Sequence, residues 1–593
     1  MRRARRAASA LLSVAVVAGT LVRAEPPSGP TVAESIRAPR PVVSPLGMVV
    51  TATPEATAAA VRILEAGGNA VDAAVAAAFA LGASDPGGSG LGGQTWMVVH
   101  LASGVDRAIL CPSRVPMRID RERVRQARRG TELSGPMAAT VPTSLATLDH
   151  ALRRYGRLPL AEVLRPAIEA AESGYALHDF EYYFLQDYRH RLFDSEVLLP
   201  VYLTEPKGES GYPEPALPGT CVRIPGLAAT LRRLAKSGAR DFYSGAIAAT
   251  LDSEVRAAGG FITKPDLLRV PASVRDVAPA RGEFRGRTAL SVPSPAGGSV
   301  LAMTLQILDA LPPESLAKPG LERGYAIVEA VRLARAEWAV RQGTEEVTEG
   351  PFVSEWLTPR WAAGQAARIH PGKAIPREEL VAGAAELPKE GGTTHVSVVD
   401  AEGNAVSLTQ SLGRYFGSAW AAPSLGFPLN SFAEPLLCDD RLSAAYTGPG
   451  ASAPVPSAPL ILLRDGRIAL VAGTGGSSRI PSILANVLVA LFDGGDTTAE
   501  AYSRPRFLWE DDSAGPRVMI EIAPPFVPSD VDAIEAAGYG KVFSLSAPDR
   551  NTPAFGGIHA VVRNEADGTW EGWFDGRRVA SAAAPERLAP APR

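Results

Sequence analysis

Mostly small apolar residues run from Pro54 to Ala66, where Gly67-Gly68 closes the run, a stretch that suits a helix. Asn69, with Asp72 three residues on, suits the cap of a second helix running to about Leu81. Both stretches are rich in alanine and poor in charge, and both are therefore expected to be buried. Thr95 to His100 reads as a strand. Leu227, Leu231 and Leu234, and later Ile327, Val331, Ala334 and Trp338, mark one face each of further helices. Helical and strand-like segments come in blocks instead of strict alternation, which predicts an α+β protein over a doubly wound sheet.

The period changes to two between Gly391 and Ser411. Two alternating runs flank the loop Ala401-Glu402-Gly403, a three-residue hairpin connection in which glycine takes the left-handed conformation. Placing Asp400 opposite Asn404 sets Val396 beside Leu408 and Val398 beside Val406 on one face. The other face then carries Thr393/Ser411, His395/Thr409, Ser397/Ser407 and Val399/Ala405. A slip of one residue would mix these faces, so the segregation fixes the register. Asp465-Gly466 suits the two-residue turn of another hairpin.

Length and charge narrow the function classes. The chain has 593 residues, enough for one or several large cores, and 60 Lys+Arg against 63 Asp+Glu leave a net charge of −3. A nucleic-acid partner is not expected. Residues 1–24 show a basic start, an apolar run from Ala7 to Val22 and a small residue at Ala24, the pattern of a secretory signal. Export is expected, to the periplasm or beyond, with a membrane tether as the alternative if the signal stays uncleaved. Residues 25–46, rich in proline, read as a tether. Cys111, Cys221 and Cys438 are too far apart for a disulfide framework or a metal site and read as structural thiols.

Gly88-Ser-Gly90-Leu-Gly-Gly93 matches a dinucleotide fingerprint in letters only. A helix precedes it and a strand follows, the reverse of what a pyrophosphate site needs, so a closely packed turn is expected. Thr393 is more informative. It starts a strand directly after Gly391-Gly392, with the Ser411 hydroxyl about 5 Å away across the ladder. If the Gly392–Thr393 bond were cut, the freed amine, titrating near 7.7 to 8.0, could serve as base for the residue's own hydroxyl. The plain alternative is that these hydroxyls coat a solvated strand face.

These residues resemble the γ-glutamyltranspeptidases (glutathione hydrolases), which are N-terminal nucleophile hydrolases. The resemblance spans nearly the whole mature chain. It includes Leu64-Glu-Ala-Gly-Gly-Asn-Ala-Val-Asp-Ala-Ala74, Leu91-Gly-Gly93, Asp241-Phe-Tyr-Ser-Gly245, Gly259-Gly-Phe-Ile-Thr263, Pro293-Ser-Pro-Ala-Gly-Gly298, Gly391 to Asp400, Gly473-Thr-Gly-Gly-Ser-Ser-Arg-Ile480 and Pro505-Arg-Phe507. It implies a four-layer αββα sandwich and a proenzyme that cuts itself between Gly392 and Thr393. A large subunit (47–392) would then intertwine with a small one (393–593). It implies Thr393 as nucleophile of processing and turnover. Ser411 stands for the family's second threonine, and Gly475 and Gly476 for its oxyanion-binding pair, with Ser477 beside them. No metal or organic cofactor is required.

The departures fall on the substrate-recognition positions. The run carrying the family's carboxylate-binding arginine reads Leu110-Cys-Pro-Ser113, with Arg114 as the nearest substitute. Gly413 stands where an asparagine is usual. Asn430-Ser-Phe-Ala-Glu-Pro435 keeps one amide and Glu434 but brings in Phe432 and Pro435, and the family's serine pair falls on Val455-Pro456, next to Ser457. The expected substrate is a small γ-glutamyl amide, with water or an amine as acceptor. The alternatives are an acylase of the same family acting on a glutaryl or β-lactam side chain, favoured by Phe432, Val455 and Pro456, and a binding homologue without turnover.

Overall fold

Local rules account for the elements that frame the hairpin. The computed structural model describes residues 40–128, 132–205, 211–342, 357–380, 391–434, 448–452, 455–510, 517–546 and 553–589. The signal-like segment, Pro435 and Cys438 lie outside them. The strands of the two main sheets are β1 (Val42–Ser44), β2 (Gly47–Thr51), β3 (Gln94–His100), β4 (Asp106–Leu110), β5 (Arg275–Val277), β6 (Ala280–Phe284), β7 (Arg287–Ser291), β8 (Gly392–Asp400), β9 (Ala405–Gly413), β10 (Leu460–Arg464), β11 (Arg467–Gly475), β12 (Gly557–Arg563), β13 (Trp570–Phe574) and β14 (Ser581–Ala583). The helices that cover them or frame the site are α1 (Pro54–Glu65), α2 (Ala70–Ser84), α3 (Ser144–Tyr155), α4 (Leu160–Ser173), α5 (Asp179–Tyr188), α6 (Leu227–Ser237), α7 (Gly298–Asp309), α8 (Leu321–Gln342) and α9 (Ile480–Phe492).

One sheet runs β14-β2-β8-β9-β3-β4-β5, and the other β1-β13-β12-β11-β10-β7-β6. They face each other across an apolar seam that includes Val50, Trp96, Val399, Ile461 and Val471. Helices α1 to α4 and α6 belong to the core over the outer face of the first sheet, and α7, α8 and α9 to the core over the second. The protein is thus an α+β fold of four layers, αββα. Among the described residues no helix is long and apolar enough to cross a membrane.

The cap of α2 forms as its sequence dictates: Asn69 Oδ1 accepts from the amides of Val71 and Asp72, and Asp72 Oδ2 accepts from Asn69 N at 2.8 Å. Asp400, at the hairpin end, accepts from Ala70 N at 2.9 Å and ties the helix start to the sheet. Alanines let α2 lie close to β8, and nearly all of its residues are buried. Helix α1 differs, keeping an exposed edge at Ala58 and Arg62.

The β8–β9 hairpin has the expected register, with Thr393 opposite Ser411 and Val396 opposite Leu408. Its hydroxyl face is not solvated. It lies between the sheets, where Ser407 Oγ donates to Ala472 O at 3.0 Å and Ser397 Oγ to His559 O at 3.2 Å. Asp465 and Gly466 turn between β10 and β11 with φ of 51° and 73°, the left-handed pair that a tight hairpin demands. Residues 42–44, within the stretch read as a tether, instead form the edge strand β1 paired with β13.

The glycine run 87–93 is a packed turn. A Cβ on Gly92 would lie 2.0 Å from Pro428 O, and one on Gly93 2.3 Å from Ser411 O. This close approach presses the turn against the strand that carries Ser411. Cys111 is buried and Cys221 exposed, and neither forms a disulfide.

Candidate active site

Thr393 sits where the first sheet begins, at the mouth of the gap between the two sheets, and is 7% exposed. Its Oγ1 lies 3.0 Å from Ser411 Oγ. Ser411 Oγ in turn donates to the carbonyl of Gly392 at 2.7 Å and accepts from Gly413 N at 2.9 Å. A hydroxyl has one proton and two acceptor sites. The proton of Ser411 is committed to Gly392 O, so Thr393 is the donor in the threonine–serine contact. One serine therefore receives the threonine's proton and polarises the carbonyl of the Gly392–Thr393 bond.

The two histidines nearby do not compete as bases. Ser397 Oγ donates to His559 O, so it accepts from His395 Nε2, leaving Nδ1 to accept from Thr409. His559 Nδ1 donates to His395 O at 3.1 Å. Burial lowers both basicities, His395 well below the ordinary imidazole range and His559 to about 4. They are neutral struts between the sheets.

A small recess of about 20 Å³, room for about one water, opens beside Thr393. Thr393, Gly475, Asp85, Glu181, Tyr415 and Arg578 line it, with Phe180. Gly475 ends β11 against Thr393: a Cβ there would lie 2.6 Å from Thr393 O and 2.1 Å from Arg578 Nη1. The Cα of Gly476, with φ of 150°, faces Ile483, and Ser477 is buried with φ of 56°.

The charges in this wall are shifted. Burial pushes the Asp85 carboxyl up to about 7, although Tyr415 donates to it at 2.9 Å and the Arg578 charge opposes the rise. Burial, with the Asp85 charge adding, pushes Glu181 up to about 8. Tyr175 donates to it at 2.7 Å. Burial lowers Arg578 to about 10, with Arg479 contributing. Arg578 Nη1 donates to Thr393 O at 3.3 Å, and its guanidinium lies 5.1 Å from the centre of the Phe180 ring.

The structure brings Thr393, Ser411 and Gly475 together, with Gly476 and Ser477 next in the chain, whereas Arg114, Asn430, Glu434 and Ser457 bond elsewhere or are buried away from the recess. Asn430 gives both amide protons to Gly92 O and Thr140 O and accepts from Thr140 and Phe432. Glu434 accepts from Leu133 N and Arg414 Nε and lies 3.7 Å from Arg191. Arg114 donates to Gly450 O, and Ser457 is buried. None of the four lines the cavity. Phe432 and Val455, read as pocket residues, are buried in the seam between the sheets.

Asp85, Glu181, Tyr415 and Arg578 were not singled out as site residues. Signals existed for two: Glu181 stands beside Phe180 and near Phe184 and Leu185 on the buried side of α5, and Asp85 starts the glycine run.

Comparison with known proteins agrees with this architecture. The family pattern described as gamma-glutamyltranspeptidase matches residues 56–585. The glutathione hydrolase proenzyme of Escherichia coli (strain K12) is 31% identical, covering 90% of this chain and 92% of its own. The acylase ACY 1 proenzyme of Pseudomonas sp. (strain SE83) is 30% identical, covering 92% and 94%. The crystal structure of cephalosporin acylase from Bacillus halodurans shares the fold, with a TM-score of 0.77 and 24% identity over 96% of this chain and 100% of that one. The chain therefore belongs to the γ-glutamyltranspeptidase family and is an enzyme of the N-terminal nucleophile hydrolase type.

Proposed function

We propose that the chain is an exported, self-processing amidohydrolase and acyltransferase that acts on a γ-glutamyl amide through an ester on Thr393. In processing, Thr393 Oγ1 attacks the Gly392 carbonyl carbon and its proton passes toward Ser411. The Gly392–Thr393 amide becomes an ester, and water hydrolyses it to a Gly392 carboxylate and a free Thr393 amine. In turnover that amine, unprotonated above about pH 8, takes the proton of its own hydroxyl as the hydroxyl attacks the substrate amide. The leaving amine departs with a proton, and water or a second amine takes the acyl group. Gly475, followed by Gly476, is the proposed source of amides for the oxyanion.

The bridge formed by Ser411 between Thr393 and Gly392 O carries this reading. Both sheets also mix strands from either side of residue 392. β2, β3 and β4 share a sheet with β8 and β9, and β6 and β7 share one with β10 to β13. A cut at Gly392 would leave the proposed subunits 47–392 and 393–593 held by continuous ladders.

Intact-mass measurement on purified protein tests the proposal. Two fragments are expected, the smaller beginning at Thr393, and Thr393→Ala should remain a single chain without turnover. Ser411→Ala should slow processing roughly 10–100-fold, the worth of a hydrogen bond to a charged group, while Ser411→Thr retains it. Cleavage that persists in Thr393→Ala would overturn the assignment.

A further inference from the structure

We propose that Asp85 is the base that takes a proton from the water that opens the processing ester, with Glu181 holding that water in the recess beside Thr393. The inference rests on the proposed function and deepens one step of it. Ser411 serves the attack of Thr393 on Gly392, whereas the water that follows needs a base of its own.

The recess has the size and polarity of a water site. Its volume of about 20 Å³ exceeds the ~10–15 Å³ that one water requires, and a buried water needs two to four polar partners. Asp85, Glu181 and His178 stand in its wall. Glu181 Oε1 accepts from Tyr175, but Glu181 Oε2 and His178 Nε2 are buried without a hydrogen-bond partner among the described residues. Tyr415 donates to Asp85 Oδ1 at 2.9 Å and so orients that carboxyl, which has about four acceptor sites in all.

The turn that begins at Asp85 also packs against the scissile segment. A Cβ on Gly392 would lie 3.0 Å from Gly87 O, and one on Gly88 would lie 2.6 Å from Asp85 Oδ2 and 2.9 Å from Thr394 Cγ2. The Asp85 carboxyl is thus placed beside residues 392–394. Once the Gly392 acyl group has moved to Thr393 Oγ1, its carbonyl carbon is carried by a residue that lines the recess. The water oxygen bonds to that carbon as one water proton passes to the Asp85 carboxylate. The bond from the carbon to Thr393 Oγ1 then breaks, and Oγ1 takes the proton from Asp85. Gly392 ends as a carboxylic acid that ionises in solvent, Thr393 keeps its hydroxyl and gains a free amine, and Asp85 is restored. Two ionised carboxyls in one recess repel, so the acid held near 7, Asp85, is the one that ionises. Glu181, held near 8, keeps its proton, and on Oε2 that proton is the donor to the water oxygen.

Hydroxylamine tests this, because it splits an ester and leaves ordinary peptide bonds whole, and the sequence has no Asn-Gly bond, the other linkage it cuts. Asp85→Asn should slow processing roughly 10²–10⁴-fold, the range of general-base catalysis. Its uncut chain, unfolded in hydroxylamine, should split between Gly392 and Thr393. Formate should restore processing to Asp85→Ala by supplying the missing carboxylate. Glu181→Leu should slow processing about tenfold with the same splitting, and it decides the matter if Asp85→Asn does not fold. Ser411→Ala, held back before the ester forms, should resist hydroxylamine. Processing at the wild-type rate in both carboxyl variants, or slow processing of a chain that hydroxylamine leaves whole, would overturn the role of Asp85 while leaving Thr393 as nucleophile. A wild-type chain that never exposes an N-terminal Thr393 would overturn the proposed function instead.

Discussion

Arg577 and Arg578 are neighbours in sequence and both are buried, yet they belong to two different kinds of charged cluster. Arg577 grips Glu521 with two bonds of 2.7 Å, and donates to Tyr502 O at 2.9 Å and Arg504 O at 3.0 Å. Beside it Arg506 pairs with Asp575 at 2.6 Å. Burial opposes these charges, and the outcome is divided: pairing raises Arg577 above its ordinary value and lowers Asp575 below its own, whereas burial lowers Arg506. Arg578 faces the other way, into the cavity, where burial wins for Arg578, Asp85 and Glu181 alike. A buried charge cluster that closes on itself is a structural clamp. One in which desolvation dominates holds its charges less tightly.

The sharpest way to break this contrast is to remove each arginine in turn. Arg577→Met leaves Glu521 buried without its partner and should cost about 3–5 kcal/mol, the usual loss when one half of a buried ion pair is removed. Arg578→Met removes a guanidinium that donates to Thr393 O at 3.3 Å and lies over the Phe180 ring but has no bidentate carboxylate, and should cost less, about 1–2 kcal/mol. Denaturant unfolding of the two variants at one pH checks this. Equal losses would mean that Arg578 is as much a clamp as its neighbour.

The same contrast marks what sequence could and could not reveal. The caps of α2, the β8–β9 register and the left-handed turn at Asp465-Gly466 depend on residues a few positions apart, and local rules read them correctly. The Thr393–Ser411 pair was legible because a hairpin joins them. Asp85, Glu181 and Arg578 come from a turn, a helix and a loop after β13, and only the packed layers bring them together. Where Asn430 spends its hydrogen bonds was hidden for the same reason: its partners Gly92 and Thr140 are nearly 300 or more residues away in the chain. Alternation along β8 showed two faces but not what covered them. In a sheet buried on both sides the polar face can meet another sheet as readily as water.

Stability against pH should separate the clusters next. Asp85 and Glu181 keep their protons in the folded protein up to about 7 and 8, whereas the unfolded chain releases them near 3.8 and 4.5. The folded state thus holds more protons between about pH 4 and 8, and stability falls as pH rises through that window, by on the order of a few kcal/mol. Asp575 acts in the opposite sense. Its folded pKa is depressed, so its contribution is present above 3.8 and is lost as pH falls through the folded value. Asp85→Asn should flatten the loss between pH 5 and 8 and leave the acid limb unchanged, as measured by unfolding free energy across pH. A slope that survives in both Asp85→Asn and Glu181→Gln would detach the carboxyls from the cavity's energetics.

The smallest expected effect concerns the ring beneath Arg578. Phe180 offers its face to the guanidinium at 5.1 Å, and such contacts are worth about 0.5–2 kcal/mol depending on desolvation. Arg577 depends on carboxylate and carbonyl oxygens instead, so the ring supports only the arginine that faces the cavity. Phe180→Leu keeps an apolar wall but removes the quadrupole, which loosens the guanidinium without uncovering it. The KM for a γ-glutamyl anilide should rise severalfold while kcat changes less, because the ring bears on the guanidinium. If kcat falls by as much as KM rises, Phe180 shapes the surroundings of Thr393 as a whole and not the arginine alone.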